Sequence, residues 1–291
     1  MSTELSVIVP SLNEGAMLRQ TVEQLRATLP AASEIVVVDD GSTDGSSDFL
    51  AVAPPGVRLF KVGRLGAVGA RNFGAAQAQG RYLLFADAHL ELPEGWWTPL
   101  AESLDRPGVG AVAPSISAIG SPHSRGFGMR WSGPDLGVEW LPQLGRAAYP
   151  VPLLPGAFLA MRREIFEAVG GFDAGMLLWG SEDSELSLRL WLLGYEQRLV
   201  PEVDVAHLFR RAHPYAIDWT RVLHNMLRLA LLHFCRERVE RVIGALKKYQ
   251  AFAAALSLVL EGGVEAERTR LFSERVRDDD WFFNGFGMDV V

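Results

Sequence analysis

The feature that most constrains this chain is a set of short, mainly apolar runs that lack polar alternation, each followed by residues at helical spacing. Tyr82 to Ala86 is the clearest. A strand with no polar face must be covered on both sides, which is the environment of a parallel sheet flanked by helices. Leu5 to Val9 is stopped by Pro10, and Leu18, Val22, Leu25 and Leu29 then recur at spacings of 4, 3 and 4, one face of a helix. Glu34 to Val38 is the next strand and runs into Asp39-Asp40-Gly41-Ser42-Thr43-Asp44-Gly45, a turn dense in capping residues. Val57 to Lys61, a small-residue helix over Ala67 to Gln79, a helix containing Trp96 and Trp97, and a strand over Val109 to Val112 continue the alternation. The order predicts an α/β fold with a mostly parallel, doubly wound sheet.

Ligands of such sheets bind beyond the carboxyl ends of the strands. Tyr82 to Ala86 ends there in Asp87-Ala88-His89, and the i, i+2 spacing of an extended segment puts both side chains on one side. A carboxylate with an imidazole suits Mn²⁺ or a neighbouring metal better than Ca²⁺. A second reading makes Asp87 the cap of a helix beginning near Pro93 and His89 a surface residue.

From Pro114 to Pro155 glycine and proline are scattered and no period survives, the pattern of a binding or lid region. Helices are expected over Arg162 to Val169 and after Trp179-Gly-Ser-Glu-Asp183, where Leu186, Leu190 and Leu193 form a stripe and Gly194 a stop. Val203 to Arg210 reads as a last strand carrying His207. Ala216 to about Glu261 is apolar-periodic and helical, and no role can be read into Asp278-Asp-Asp-Trp-Phe-Phe283.

A formal net charge of -7 argues against partners that require a basic surface, nucleic acid foremost. The longest apolar window, Ala251 to Leu260, is half of the roughly 20 residues that span a bilayer. One cysteine, Cys235, and a start without a charged and apolar leader lead to the expectation of a cytoplasmic protein.

In these residues the chain resembles the nucleotide-diphospho-sugar transferases of glycosyltransferase family 2, which have the GT-A fold. The likeness rests on Val7-Ile-Val-Pro-Ser-Leu-Asn-Glu14, Ile35-Val-Val-Val-Asp-Asp-Gly-Ser42, Ala70-Arg-Asn-Phe-Gly74, Asp87-Ala-His89 and Trp179-Gly-Ser-Glu-Asp183, in the family's order and spacing. From Asp87 onward it is more particularly similar to the polypeptide N-acetylgalactosaminyltransferases, through Phe85-Ala-Asp-Ala-His-Leu-Glu91, Phe172-Asp-Ala-Gly-Met176, Trp179 to Leu190 and Val205-Ala-His-Leu-Phe-Arg210.

The resemblance implies a catalytic domain over residues 1–212, with a nucleotide-binding half (1–113) and an acceptor and metal half (114–212), followed by a helical extension over 213–291. It implies Mn²⁺ or Mg²⁺ on Asp87, His89 and His207, a UDP-sugar whose base meets Asp40, Pro10 and Glu14 at the edge of that pocket, and Arg71 within reach of base or phosphate. Trp179 and Gly156 fall where the family forms its sugar and acceptor pocket, and Glu182 would hydrogen-bond the transferred sugar. His213 is close enough in sequence to His207 to serve a lid.

One departure bears on mechanism. The retaining relatives have Glu-Asn where this chain has Glu182-Asp183, and an acid at the second position is the pattern of inverting members. Direct displacement needs a base on the face opposite the leaving diphosphate, which Asp183 can supply. The expectation is thus an inverting, metal-dependent transferase. The alternatives are a retaining enzyme acting on peptide Ser or Thr and a catalytically silent sugar-nucleotide binder. The acceptor, whether saccharide, peptide, lipid or small molecule, carries no readable code. The C-terminal helices read foremost as plain core, and otherwise as a homo-oligomer interface, a platform for an acceptor protein or a surface that rests on a membrane.

Overall fold

The computed structural model describes residues 3–210 and 214–288. His213 and the boundary drawn between residues 212 and 213 lie outside them. The first half alternates as expected: β1 (Leu5–Ser11), α1 (Ala16–Thr28), β2 (Ser33–Asp39), β3 (Val57–Lys61), α2 (Gly66–Gln77), β4 (Tyr82–Ala86), a short β5 (Leu90–Glu91), α3 (Trp97–Leu104) and β6 (Val109–Ala118). All five residues of β4 are buried, as a run without a polar face requires. Gly74 lets α2 lie directly on β1, since a Cβ there would stand 2.4 Å from Cγ2 of Ile8.

The stretch from Pro114 to Pro155, expected to be irregular, instead carries the end of β6 and then β7 (Ser121–Gly126), β8 (Met129–Trp131), β9 (Val138–Trp140) and β10 (Tyr149–Pro150). Its strands gave no period because β7 is exposed along five of its six residues and the others are two or three residues long. β11 (Phe158–Arg162) and α4 (Arg163–Ala168) follow, then α5 (Glu182–Leu192) and β12 (Glu196–His207).

Across the main sheet the order is β10-β12-β6-β11-β4-β1-β2-β3. β3, β2, β1 and β4 are parallel neighbours, as are β6 and β12, while β11 runs antiparallel between β4 and β6. Two antiparallel steps restore direction, so β4 and β12 end at the same edge. That edge carries the candidate site.

The remaining chain forms α6 (Trp219–His233), α7 (Arg236–Leu246), α8 (Phe252–Glu261), α9 (Val264–Glu274) and α10 (Asp279–Gly285). Among the described residues no helix is long and apolar enough to cross a membrane. Leu223, Leu227 and Leu232 of α6 belong to the same buried cluster as Phe85 of β4 and Leu188 of α5, so the helices share one core with the sheet. The acidic end also acquires a structural role: Asp278 caps α10 by accepting the Trp281 N–H, and buried Asp279 accepts from the Cys235 N–H and from Arg238.

Charge is buried at this junction. Glu185 of α5, fully inaccessible, accepts from Arg189 at 2.7 and 2.8 Å and meets Nε2 of His233 on α6 at 2.9 Å. Burial alone would raise the Glu185 carboxyl, but Arg189 and His233 hold it at about 2. An acid held below its ordinary range contributes stability that is complete above about 4.5 and disappears as the pH falls through about 2. Glu185→Gln, which leaves Arg189 buried without its counter-charge, is expected to cost about 3–5 kcal/mol at neutral pH, measured by urea unfolding.

Candidate active site

A cavity of about 380 Å³ opens at the carboxyl ends of β1, β2 and β4, within the size range of small-molecule pockets. Pro10, Asp40, Arg71, Asp87, His207 and Trp179 all line it. Of the expected site residues, Gly156, Glu182 and Asp183 do not; Gly156 and Glu182 bond Arg71, which does, and Asp183 bonds Gly156.

Asp87 follows β4, its N–H donating to the Ala157 carbonyl at 2.9 Å. The chain then bends at Ala88 and His89 instead of staying extended, so strand alternation is not what brings Asp87 and His89 together. The work is done by β5, which turns back to pair antiparallel with the end of β12, Leu90 opposite His207. Leu208 N–H donates to the His89 carbonyl at 3.1 Å. This pairing brings His207 beside Asp87 although β6 and β11 separate their strands. The kink that lets β12 do so is a register shift between Val200 and Asp204, held by the Ser115 and Ser117 hydroxyls on the Asp204 carboxylate at 2.8 Å each.

Three ligand atoms result. Nε2 of His89 lies 3.1 Å from Nε2 of His207, which lies 3.3 Å from Oδ2 of Asp87. Glu14 accepts the Nδ1 hydrogen of His89 at 3.0 Å, which turns the lone pair on Nε2 toward the other two groups. Separations of about 3 Å are those of adjacent ligand atoms around a cation bonded at roughly 2.1 Å, so the three residues fit a divalent metal. One carboxylate and two imidazoles favour Mn²⁺ or a neighbour over Ca²⁺. Asp87 is not a helix cap: α3 begins only at Trp97, and both oxygens of Asp87 face Arg71 and His207. Burial opposes its charge, yet His207, Arg71 and His89 hold the carboxyl well below the usual carboxylate range.

Arg71, buried on α2, donates to Oε1 of Glu182 at 2.8 Å, Oδ1 of Asp87 at 3.1 Å and the Gly156 carbonyl at 3.3 Å. Burial disfavours its charge, but Glu182, Asp87 and Asp183 more than offset this and raise it above the ordinary arginine range. Glu182 is spoken for on its other oxygen too, by the Gly180 N–H at 2.8 Å. Asp183 accepts from the N–H groups of Gly156 (3.0 Å) and Ser184 (2.7 Å) in the first turn of α5. Burial and the charge of Glu182 push its carboxyl up to about 6.

The two acids after β2 divide their tasks. Asp39 holds its own turn, accepting from the Ser42 N–H at 2.8 Å and from the Ser47 hydroxyl. Asp40 accepts from the N–H groups of Leu65 (2.6 Å) and Gly66 (2.8 Å) at the start of α2 and still lines the cavity. Glu14, expected at the nucleotide edge, lines it as well but spends its oxygens on His89 and Arg210. Trp179 faces the cavity, about a third exposed.

Sequence reasoning missed Asn72, whose amide clasps the Phe172 backbone from both sides at 2.9 and 3.0 Å, and the Glu185–His233 pair. The signal for Asn72 was its place beside Arg71 in the Ala70-Arg-Asn-Phe-Gly74 motif.

The edge of a GT-A sheet with this Asp-x-His and distant His defines a nucleotide-sugar transferase class, and the comparisons agree. A family model described as glycosyl transferase family 2 matches residues 6–170, and one described as the N-terminal domain of galactosyltransferase matches residues 145–214. The chain belongs to glycosyltransferase family 2. Among curated relatives, polypeptide N-acetylgalactosaminyltransferase 11 of Xenopus tropicalis is 33% identical over 77% of this chain and 42% of its own length. Polypeptide N-acetylgalactosaminyltransferase 8 of Drosophila melanogaster is 29% identical over 99% of this chain and 52% of its own. The chain thus spans about half the length of the curated relatives it matches.

Among solved structures, GalNAc-T7 with UDP, GalNAc and Mn²⁺ aligns with a TM-score of 0.82 at 23% identity, over 99% of this chain and 57% of that one. A Pyrobaculum calidifontis mannosyltransferase with GDP-Man and Mn²⁺ aligns at 0.59 and 20% identity, over 99% and 84%. Both likenesses are of fold.

The expectation of a cytoplasmic protein is overturned by this kinship, because the relatives are lumenal Golgi enzymes. A single cysteine rules out a disulfide within the chain and says nothing of the compartment around it.

The pairing of Asp183 with Glu182 gives a direct test of the electrostatics. The Asp183 carboxyl is expected to titrate near 6 by carbon-13 NMR. Glu182→Gln, which removes the neighbouring negative charge, is expected to lower that midpoint.

Proposed function

We propose that this chain transfers a sugar from a nucleotide diphosphate, UDP-linked, to an acceptor hydroxyl with inversion at the anomeric carbon. The observation that carries the transferase reading is the convergence of Asp87, His89 and His207 at the mouth of a cavity lined by Asp40 and Arg71. Those three residues would hold a divalent cation, which would supply Lewis-acid stabilisation of the departing diphosphate. Glu14 fixes the ring of His89 for that task, and Arg71 keeps Asp87 ionised and aimed. Asp40 offers its remaining lone pairs to the N–H edge of the base, and the indole of Trp179 offers a flat apolar face to the sugar.

In the transfer step Asp183 takes the proton of the acceptor hydroxyl as that oxygen bonds to the anomeric carbon. The bond from that carbon to the diphosphate breaks, and the diphosphate leaves with the electron pair. A carboxyl raised to about 6 is matched to this task near neutral pH. A specific observation favours a second reading, a retaining transfer to peptide hydroxyls: the curated relatives are polypeptide N-acetylgalactosaminyltransferases, and both oxygens of Asp183 already accept backbone N–H groups.

Under the inverting reading, Asp183→Asn keeps UDP binding and loses transfer by about 10²- to 10⁴-fold. Wild-type transfer falls as the pH drops through about 6, where the base takes up its proton. Proton NMR of the product decides between the readings, and retained configuration would remove Asp183 as base.

The metal assignment is checked without turnover, by calorimetry of UDP binding with Mn²⁺. His207→Ala abolishes the dependence on Mn²⁺, and Glu14→Gln, which removes the carboxylate partner of His89, weakens Mn²⁺ binding about 10- to 100-fold.

A further inference from the structure

The loop that carries Trp179 is not held by the sheet that builds the rest of the cavity. Leu178 and Ser181 have φ of +47° and +65°, and Gly180 between them +105°. Left-handed backbone at two residues that bear a Cβ is strained and persists only where the surroundings enforce it. On one side the enforcement is α2: the Ala67 N–H donates to the Leu178 carbonyl at 2.5 Å, and a Cβ on Gly66 would stand 2.3 Å from Cα of Leu178.

On the other side it comes from one side chain of α6. Asn225, fully buried, accepts from the Leu177 N–H at 2.8 Å and donates to the carbonyls of Leu177 (2.9 Å), Gly180 (2.9 Å) and Trp179 (3.3 Å). Its carbonyl oxygen also meets Nδ1 of His224 at 3.0 Å, and because it accepts from the Leu177 N–H the amide cannot turn over without setting donor against donor. One primary amide therefore serves a four-residue segment that has no ladder of its own. Farther along, the Gly180 N–H binds Glu182, Glu182 binds Arg71, and Arg71 binds Asp87.

We propose that Asn225 is a positioning residue of the active site: from the C-terminal helices it fixes the 177–180 loop, and with it the Trp179 face of the sugar-nucleotide cavity. This assignment rests on the sugar-nucleotide reading above. It makes α6 part of the binding apparatus and not only a cover for the core. Neither aspartate nor leucine reproduces it, because an aspartate would present oxygens to backbone carbonyls and a leucine would withdraw the partner of the Leu177 N–H and of the Gly180 carbonyl.

The test is calorimetry of UDP-N-acetylgalactosamine binding in the presence of Mn²⁺, on the full chain, because the sugar is the part of the donor that meets Trp179. Asn225→Ala is expected to weaken binding about tenfold or more. Leu229→Ala, a truncation on the same helix within the core, is expected to lower the melting temperature yet leave binding of the same donor within about twofold at a temperature where both variants are folded. Asn225→Ser, held to the same outcome, replaces Asn225→Ala if the latter does not fold.

Combining Asn225→Ala with Trp179→Ala should lose less than the sum of the two losses, since both act on one loop. Unaltered binding of UDP-N-acetylgalactosamine by the Asn225 variant, equal losses in the Asn225 and Leu229 variants, or strict additivity with Trp179→Ala would overturn the assignment. Absence of UDP binding by the wild-type chain would overturn the sugar-nucleotide reading itself, and this assignment with it.

Discussion

The buried guanidinium of Arg71 is the constraint around which the site is assembled. A cation removed from water on α2 is tolerable only with counter-charges in good geometry, and the chain brings them from far apart in sequence: Asp87 after β4 and Glu182 at the start of α5. The Gly156 carbonyl ahead of β11 completes the set, and the ring of Phe172 lies 5.5 Å from the guanidinium carbon. Four segments are thereby pinned to one point. Because Asp87 is also the group that meets His207, the same charge that locks the fold keeps the carboxylate of the proposed metal site ionised and oriented.

The division of labour among the acids follows from what each is bonded to. Glu182 and Asp183 are neighbours in sequence but leave the helix start in different directions, one to Arg71 and the other to Gly156. One is neutralised by a cation; the other feels mainly burial and its neighbour's charge, and its carboxyl rises to about 6. A raised carboxyl beside a cation-paired one is the arrangement that the proposed base requires. Glu185, three residues on, faces the core and belongs to the architecture, held by Arg189 and by His233 of α6.

The C-terminal helices extend this logic. Arg228 of α6 makes a two-point contact with Asp173 at 2.7 and 2.8 Å, a few residues ahead of the Trp179 loop, and also meets Glu267 of α9. Asp173, Glu185 and the 177–180 backbone are thus all engaged from α6. The helix is amphipathic, but the polar residues on its buried face are specific partners of the site-bearing segments and not defects in an apolar stripe.

Much of this was legible in the residues themselves. Runs such as Tyr82–Ala86 can only be strands covered on both faces, helical spacing between them forces crossovers, and strand ends facing one edge then put Asp40 and Asp87 at one cavity. His207 could be chosen only through resemblance, since a histidine at the end of an isolated strand has no mark of a ligand. What the tertiary structure alone decided depends on contacts between distant segments. β11 enters antiparallel between β4 and β6, β5 folds back on β12 to bring His207 to Asp87, Glu14 at the cavity edge also becomes the partner of His89, and Asn225 reaches the Trp179 loop. Periodicity reports how a residue relates to its neighbours a few positions away. Pairing across a sheet and the pairing of buried charges are settled by what else must be satisfied in the same volume, and that is known only when the chain is folded.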